Sequence, residues 1–210
     1  MRIFENENLI QRNFVSNPEI VLTEDMIRGS VSYCYETLDM IDYYLVSRGS
    51  GKLSRLLDKA NLSSIIGNLL CSGLEQHSEN HYRCNAPHTY PDLLAVDHDL
   101  PGIEVKTALR RNCPKGHHPK PGYYLTFRYC LTDENGLYHD EENLCDTVTF
   151  WEIKFGYLNE TDFCCSNTSG DSGKTAVINI SSLNRMPLLY FDSKLVPYKH
   201  SSTKPYHGFN

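Results

Sequence analysis

The chain has 210 residues with 20 basic and 26 acidic side chains, a formal charge of −6, 40% hydrophobic residues and a mean hydropathy of −0.44. That composition excludes intrinsic disorder and a collagenous chain, and it supplies apolar material for one substantial core. No apolar run approaches the ~18 to 20 residues of a membrane helix, and Met1–Glu7 opens without the apolar stretch of a signal peptide. The expectation is a cytoplasmic protein of prokaryotic type with no membrane partner.

Residues 24–48 place Ile27, Val31, Cys34, Leu38, Ile41 and Leu45 at alternating spacings of four and three. This predicts a long amphipathic helix with Thr23 as N-cap and Gly49 as stop. Residues 52–76 continue helically through Leu53, Leu56 and Leu57. Ser63 or Ser64 is a possible restart before Ile65, Ile66, Leu69, Leu70 and Leu74, so one broken helix or two short ones are expected. A polar loop over 77–90 precedes apolar runs at 91–97, 102–108, 122–131, 146–158, 174–180 and 187–191, separated by Pro, Gly, Asn and Asp, which read as strands. Helices followed by strands predict an α+β, or mixed α/β, domain over 1–197: a helical part to residue 76, then a mixed central sheet over 91–191 flanked by helices. Residues 198–210 lack periodicity and read as a mobile C-terminal arm.

The eight cysteines are scattered, apart from the adjacent Cys164 and Cys165, with no C-x-x-C spacing. Buried free thiols in a reducing compartment are expected, in place of a structural metal site.

The charge is unevenly distributed. Residues 1–51 hold four basic and eight acidic side chains, and 131–165 hold one and nine. Residues 101–130 instead hold six basic side chains (Lys106, Arg110, Arg111, Lys115, Lys120 and Arg128) and a single acid, Glu104, with His117 and His118 in addition. A positive stripe in an acidic protein attracts phosphate while the remainder restrains promiscuous binding, although a solvated loop has the same composition.

Within Tyr90–Thr107, two strand-like runs flank the turn-forming segment Asp97–Gly102, so a hairpin is expected. Alternation sends Ile103 and Val105 to one face and Glu104 and Lys106 to the other. A hairpin folded about Asp99 sets Asp92 opposite Lys106 and one diagonal step from Glu104, with Cβ atoms roughly 7 to 8 Å apart. Two carboxylates so placed can share a hard cation; they can equally pair with Lys106 in a surface ladder. A one-residue slip of register would separate the groups.

Pro91-Asp92, then eleven residues, then Glu104-Val105-Lys106 resembles the signature of the PD-(D/E)xK nucleases. The setting resembles the core of the type II restriction endonucleases of that superfamily: an apolar helix before the first strand, a hairpin, a basic segment after the lysine and a further strand from Gly122. The likeness covers 52 to about 131 and extends only loosely over 146–180. It implies that Asp92, Glu104 and the carbonyl of Val105 bind Mg2+, that Lys106 positions or activates the attacking water, and that the products are a 5′-phosphate and a 3′-hydroxyl. It further offers Glu75, at the end of the preceding helix, as a ligand or supporting acid.

Two other segments are suggestive. Gly170–Thr175 fails as a phosphate-binding loop because the glycine required five residues before Gly173 is Thr168, so no nucleotide cofactor is expected. The longer polar loop Ser166–Thr175 offers Asn167, Ser172 and Lys174 for contacts to DNA, or it is an ordinary turn. Arg110, Arg111, Lys115, His117 and Lys120 are assigned to phosphate or groove contact, and Arg128 is either a groove reader or a cross-strand charge partner. The sequence thus predicts a Mg2+-dependent restriction-type endonuclease acting as a homodimer on a short palindromic site in double-stranded DNA. The alternatives are a repair or structure-selective nuclease and a non-catalytic DNA-binding module.

Overall fold

A computed structural model describes residues 2–14, 20–139, 144–166, 175–197 and 206–208. Helix α1 spans Glu24–Ser47 and begins where Thr23 Oγ1 accepts the Met26 N–H, with Glu24 and Asp25 at the positive end of its dipole. Gly49, at φ +79°, follows its last turn. The second helical segment breaks earlier than expected, into α2 (Leu53–Leu56) and α3 (Lys59–Gln76). Asp58 restarts the helix by accepting from the N–H groups of Ala60 and Asn61, while Ser63 and Ser64 return their hydroxyls to carbonyls four residues back inside α3.

Nine strands follow among the described residues: β1 Tyr82–Cys84, β2 Leu93–Ala95, β3 Ile103–Leu109, β4 Lys115–Gly116, β5 Gly122–Thr132, β6 Thr147–Leu158, β7 Phe163–Ser166, β8 Thr175–Ile178 and β9 Leu188–Phe191. A short helix, α4 (Ile180–Arg185), precedes the last. The main sheet has the order β1-β2-β3-β5-β6-β9, and a smaller one the order β4-β8-β7. Among the described residues of the main sheet, β3 and β5 pair in parallel and the other neighbours antiparallel. The parallel pair is joined across residues 110–121, near the minimum length for a parallel crossover. The mixed, helix-flanked α+β architecture is therefore present. Strand β1 falls within the stretch expected to be a polar loop, because its pairing with β2 decides its state and its composition does not.

The strand period divides the molecule into two faces. Ile103, Val105, Leu125, Phe127, Tyr129, Val148, Phe150 and Ile153 meet Ile27, Val31, Cys34 and Leu38 of α1 and Leu62, Ile66, Leu70 and Leu74 of α3 in the main core. Full burial of each such aliphatic side chain contributes about 1.5 to 3 kcal/mol. Gly73 lets α3 approach α1, since a Cβ there would lie 2.7 Å from the Ser30 Cα. The opposite face is covered by the small sheet, α4 and residues 206–208, around Tyr124, Leu158, Ile178, Leu183 and Met186 and, further along, Cys130, Trp151 and Leu195.

That second face encloses charge. Arg128 and Glu152 are fully buried and form a bidentate pair, the guanidinium also lying 4.3 Å from the Trp151 ring centre. Arg128 is thus a cross-strand charge partner, and its assignment as a DNA contact is corrected: a side chain with no accessible surface reaches no groove. The C-terminal arm is corrected in part as well. Tyr206 donates to Glu152 and stacks on Phe191 at 4.8 Å, and the Gly208 carbonyl accepts from Lys154 Nζ at 2.7 Å. Asn167, Ser172 and Lys174 lie outside the described residues.

Burial lifts the Cys34 and Cys130 thiols from an ordinary 9 to about 12 and the Tyr190 hydroxyl from 10 to about 12, and it raises the Tyr35 hydroxyl as well. These groups stay neutral in the fold but ionise in the unfolded chain, so their contribution is complete below pH 9 and is lost as pH rises toward 12. Lys154, lowered to about 8 by desolvation, acts in the opposite sense and gains stability between pH 8 and 10.5. Because the acids outnumber it, thermal melts should show a steep loss of stability above about pH 9. A melting temperature that is flat to pH 11 would contradict the neutral burial of these groups.

Candidate active site

The Asp97–Gly102 turn returns the chain so that Leu93 pairs with Ile103, which shifts the register by two residues from a hairpin centred on Asp99. An even shift preserves the face, and Asp92 comes opposite Glu104 instead of Lys106. Gly102 permits the tight return: a Cβ there would stand 2.3 Å from the Leu93 carbonyl oxygen and 2.5 Å from Pro91 Cγ. Gly102→Ala should therefore cost about 1 to 3 kcal/mol by overpacking and loosen the carboxylates it helps to align. A melting temperature equal to that of the unmodified chain would show that the turn relaxes freely.

Asp92 and Glu104 are interlocked through the backbone. The Val105 N–H donates to Asp92 Oδ2 at 2.9 Å, and the Asp92 N–H donates to Glu104 Oε2 at 3.0 Å. Asn85 fixes the approach to the motif, its N–H bonding the Asp92 carbonyl and its amide the Pro91 carbonyl. Lys106 Nζ pairs with Glu104 Oε1 and lies 3.5 Å from Asp92 Oδ2. Asp92 keeps a third of its side chain exposed, Lys106 a fifth and Glu104 a tenth. Burial, reinforced by the Asp92 charge, raises the Glu104 carboxyl against the lowering effect of Lys106. Burial would lower the Lys106 ammonium, but the two carboxylates outweigh it and the net direction is upward. Lys106 is thus held more firmly charged by the two carboxylates.

The donor set suits a hard divalent cation. Two carboxylates converge on one side of the sheet, and in the structure a positive group, the Lys106 ammonium, bridges them. Among the described residues no group of three or more His, Cys, Asp or Glu is placed to hold a metal. Asp92 and Glu104 are the residues that could hold Mg2+, with backbone oxygen and water completing its shell, a pattern that ion accepts. Among the described residues Glu75 does not make a third acid; at the end of α3 its carboxylate, with that of Asp92, adds to the burial that pushes the Cys84 thiol up.

The basic segment is spread along the second face. Gly116 packs on Lys106, with a Cβ there 3.3 Å from Lys106 Cε, so Lys115 and His117 flank the lysine and are exposed. Lys120 Nζ lies 4.5 Å from the ring centre of Tyr90, the residue before Pro91-Asp92. Arg110 and Arg111 sit beyond the end of β3, where the Arg110 carbonyl accepts from Trp151 Nε1. Lys120 is thus brought to the residue that precedes Pro91-Asp92, Lys115 stands beside Gly116 on β4, and Arg110 and Arg111 lie beyond the end of β3. Tyr90 and Tyr124 were not anticipated: their hydroxyls bond the carbonyls of Pro121 and Lys120, and both feel the Glu104 charge. Tyr124 neighbours Glu104 only through the parallel register of β3 with β5. The position of Tyr90 next to Pro91-Asp92 is the one signal that the sequence carried for this pair.

No family model and no curated protein matches the chain. Among the described residues, no helix is long and apolar enough to cross a membrane.

Proposed function

We propose that this chain is a Mg2+-dependent endonuclease of the PD-(D/E)xK type acting on double-stranded DNA, in its restriction form a homodimer directed to a short palindromic site. The observation that carries the reading is the convergence of Asp92, Glu104 and Lys106 on one sheet face, interlocked through the backbone groups of residues 92 and 105. Mg2+ when bound supplies a Lewis acid and a water of lowered pKa. Asp92 and Glu104 hold it, the Val105 backbone anchors Asp92, and Lys106 carries positive charge toward the phosphoryl oxygens and orients the attacking water. The exposed Lys115 and Lys120 bind flanking phosphates, Arg110 and Arg111 extend that track, and His117 adds a groove or phosphate contact.

Incubation of plasmid DNA with the protein and Mg2+ tests this directly. Discrete fragments support the restriction form. Nicking, or cutting confined to branched substrates, supports a repair or structure-selective enzyme with the same chemistry. An intact plasmid and intact branched DNA, with binding retained, would reduce the carboxylates and lysine to a surface ladder on a DNA-binding module.

Phosphate contacts carry no sequence information. Replacing Arg110, Arg111, Lys115 or Lys120 with Ala should therefore weaken cognate and random duplexes alike, and each lost contact should lower the salt slope of binding by about 0.9. Titrations at several salt concentrations check this, and slopes unchanged in all four variants would remove the basic segment from the interface.

A further inference from the structure

The end of the molecule where β5 finishes and β6 starts gathers exposed apolar side chains beside a groove that also carries charge, Asp39, Lys52 and Glu134 among its lining residues. Met40, Tyr43, Tyr44 and Val46 of α1 are 56, 71, 62 and 51% exposed, and Ile3 and Leu137 are 63 and 57% exposed. These are six of the eleven large hydrophobic side chains exposed among the described residues. Ile3, Tyr43, Val46 and Leu137 line one groove of about 890 Å³ between α1 and the turn after β5. The Tyr43 and Tyr44 rings touch edge to face, 5.7 Å apart. Scattered exposed apolar residues need no explanation, but a contiguous patch of this kind marks a surface that is covered in use.

The order of residues along α1 identifies what covers it. Glu36, Met40, Tyr44 and Arg48 follow one another at intervals of four, the spacing of a helix-packing ridge, and all four are exposed. Among the described residues neither Glu36 nor Arg48 forms a side-chain ion pair. The ridge is self-complementary about position 42. Laid antiparallel on its own copy, it sets Met40 against Tyr44 and Glu36 against Arg48, twice each by symmetry. Of the apolar stripe of α1, Ile27, Val31, Cys34 and Leu38 are in the core, while Ile41 and Leu45 are half-buried. We infer that α1 pairs antiparallel with α1 of a second copy of this chain, through the Glu36–Met40–Tyr44–Arg48 ridge, with Tyr43 and the groove edge closing around it. The contact lies about 20 Å of strand from the carboxylates, measured from Thr126 beside Lys106 to Thr132, and leaves the second face open. The pairing does not depend on the nuclease chemistry.

Sedimentation velocity on the full chain, without DNA or Mg2+ and at micromolar concentration, tests it apart from any activity. The unmodified chain should run as a dimer, and the Met40→Glu/Tyr44→Glu double variant as a monomer with an unchanged circular dichroism spectrum. Glu36→Arg alone and Arg48→Glu alone place like charges in contact and should each weaken association about tenfold. Glu36→Arg combined with Arg48→Glu should restore it, which no general loss of folding can mimic. A monomeric unmodified chain, a dimer indifferent to the two glutamates, or a charge swap no tighter than its single variants would overturn the pairing.

Discussion

Under the nuclease reading proposed above, Asp92→Asn and Glu104→Gln should each reduce Mg2+-dependent DNA cleavage by at least ~10³-fold while leaving DNA binding largely intact. Both variants keep the size of the side chain, and the amide oxygen introduced by Asp92→Asn can still accept the Val105 N–H, so the loss reports the negative charge that holds the cation and not the hydrogen bond that holds the loop. Asp92→Ala and Glu104→Ala should be as inactive; the first also leaves the Val105 N–H without its acceptor. Removing negative charge beside the phosphates should tighten metal-free binding slightly. Lys106→Ala should lose most of the rate and retain metal binding, because the two acids remain. The checks are single-turnover cleavage rates and binding titrations with and without Mg2+. Full cleavage by either isosteric variant would overturn the site assignment, and unmodified speed in Lys106→Ala would remove the lysine from the mechanism.

The largest effect on stability is expected at Arg128. Arg128→Met leaves the fully buried Glu152 carboxylate with the Tyr206 hydroxyl and without its bidentate partner. Breaking a buried pair from one side costs about 3 to 5 kcal/mol, which in a chain of this size lowers the melting temperature by roughly 6 to 20 °C. Replacing both residues with Met should recover most of that loss, since the desolvation of two charges disappears with them. The four melting curves of this double-variant cycle form the test. A single variant as stable as the parent would mean that the pair is solvated, and a selective loss on cognate DNA with stability unchanged would return Arg128 to the groove.

Much of this organisation was legible along the chain, wherever a local period or a local cap decides the outcome. The stripe from Ile27 to Leu45, Thr23 at its start and Gly49 at its end define α1, because a helix is set by neighbours three and four residues apart. The alternation Ile103, Glu104, Val105, Lys106 divides core from site on β3 for the same reason. The tertiary structure alone decided what depends on partners distant in sequence. Strand β1 exists because β2 offers it a ladder, and Asp92 faces Glu104 because the strand register lies two residues from the expected one. Tyr124 stands beside Glu104 through a parallel register carried across residues 110–121. Arg128 illustrates the limit: its charge and its face were visible in the sequence, but whether that face met water or the buried Glu152 depended on Tyr206, 78 positions further along the chain. Burial is a property of the whole packed chain, so no local pattern reports it.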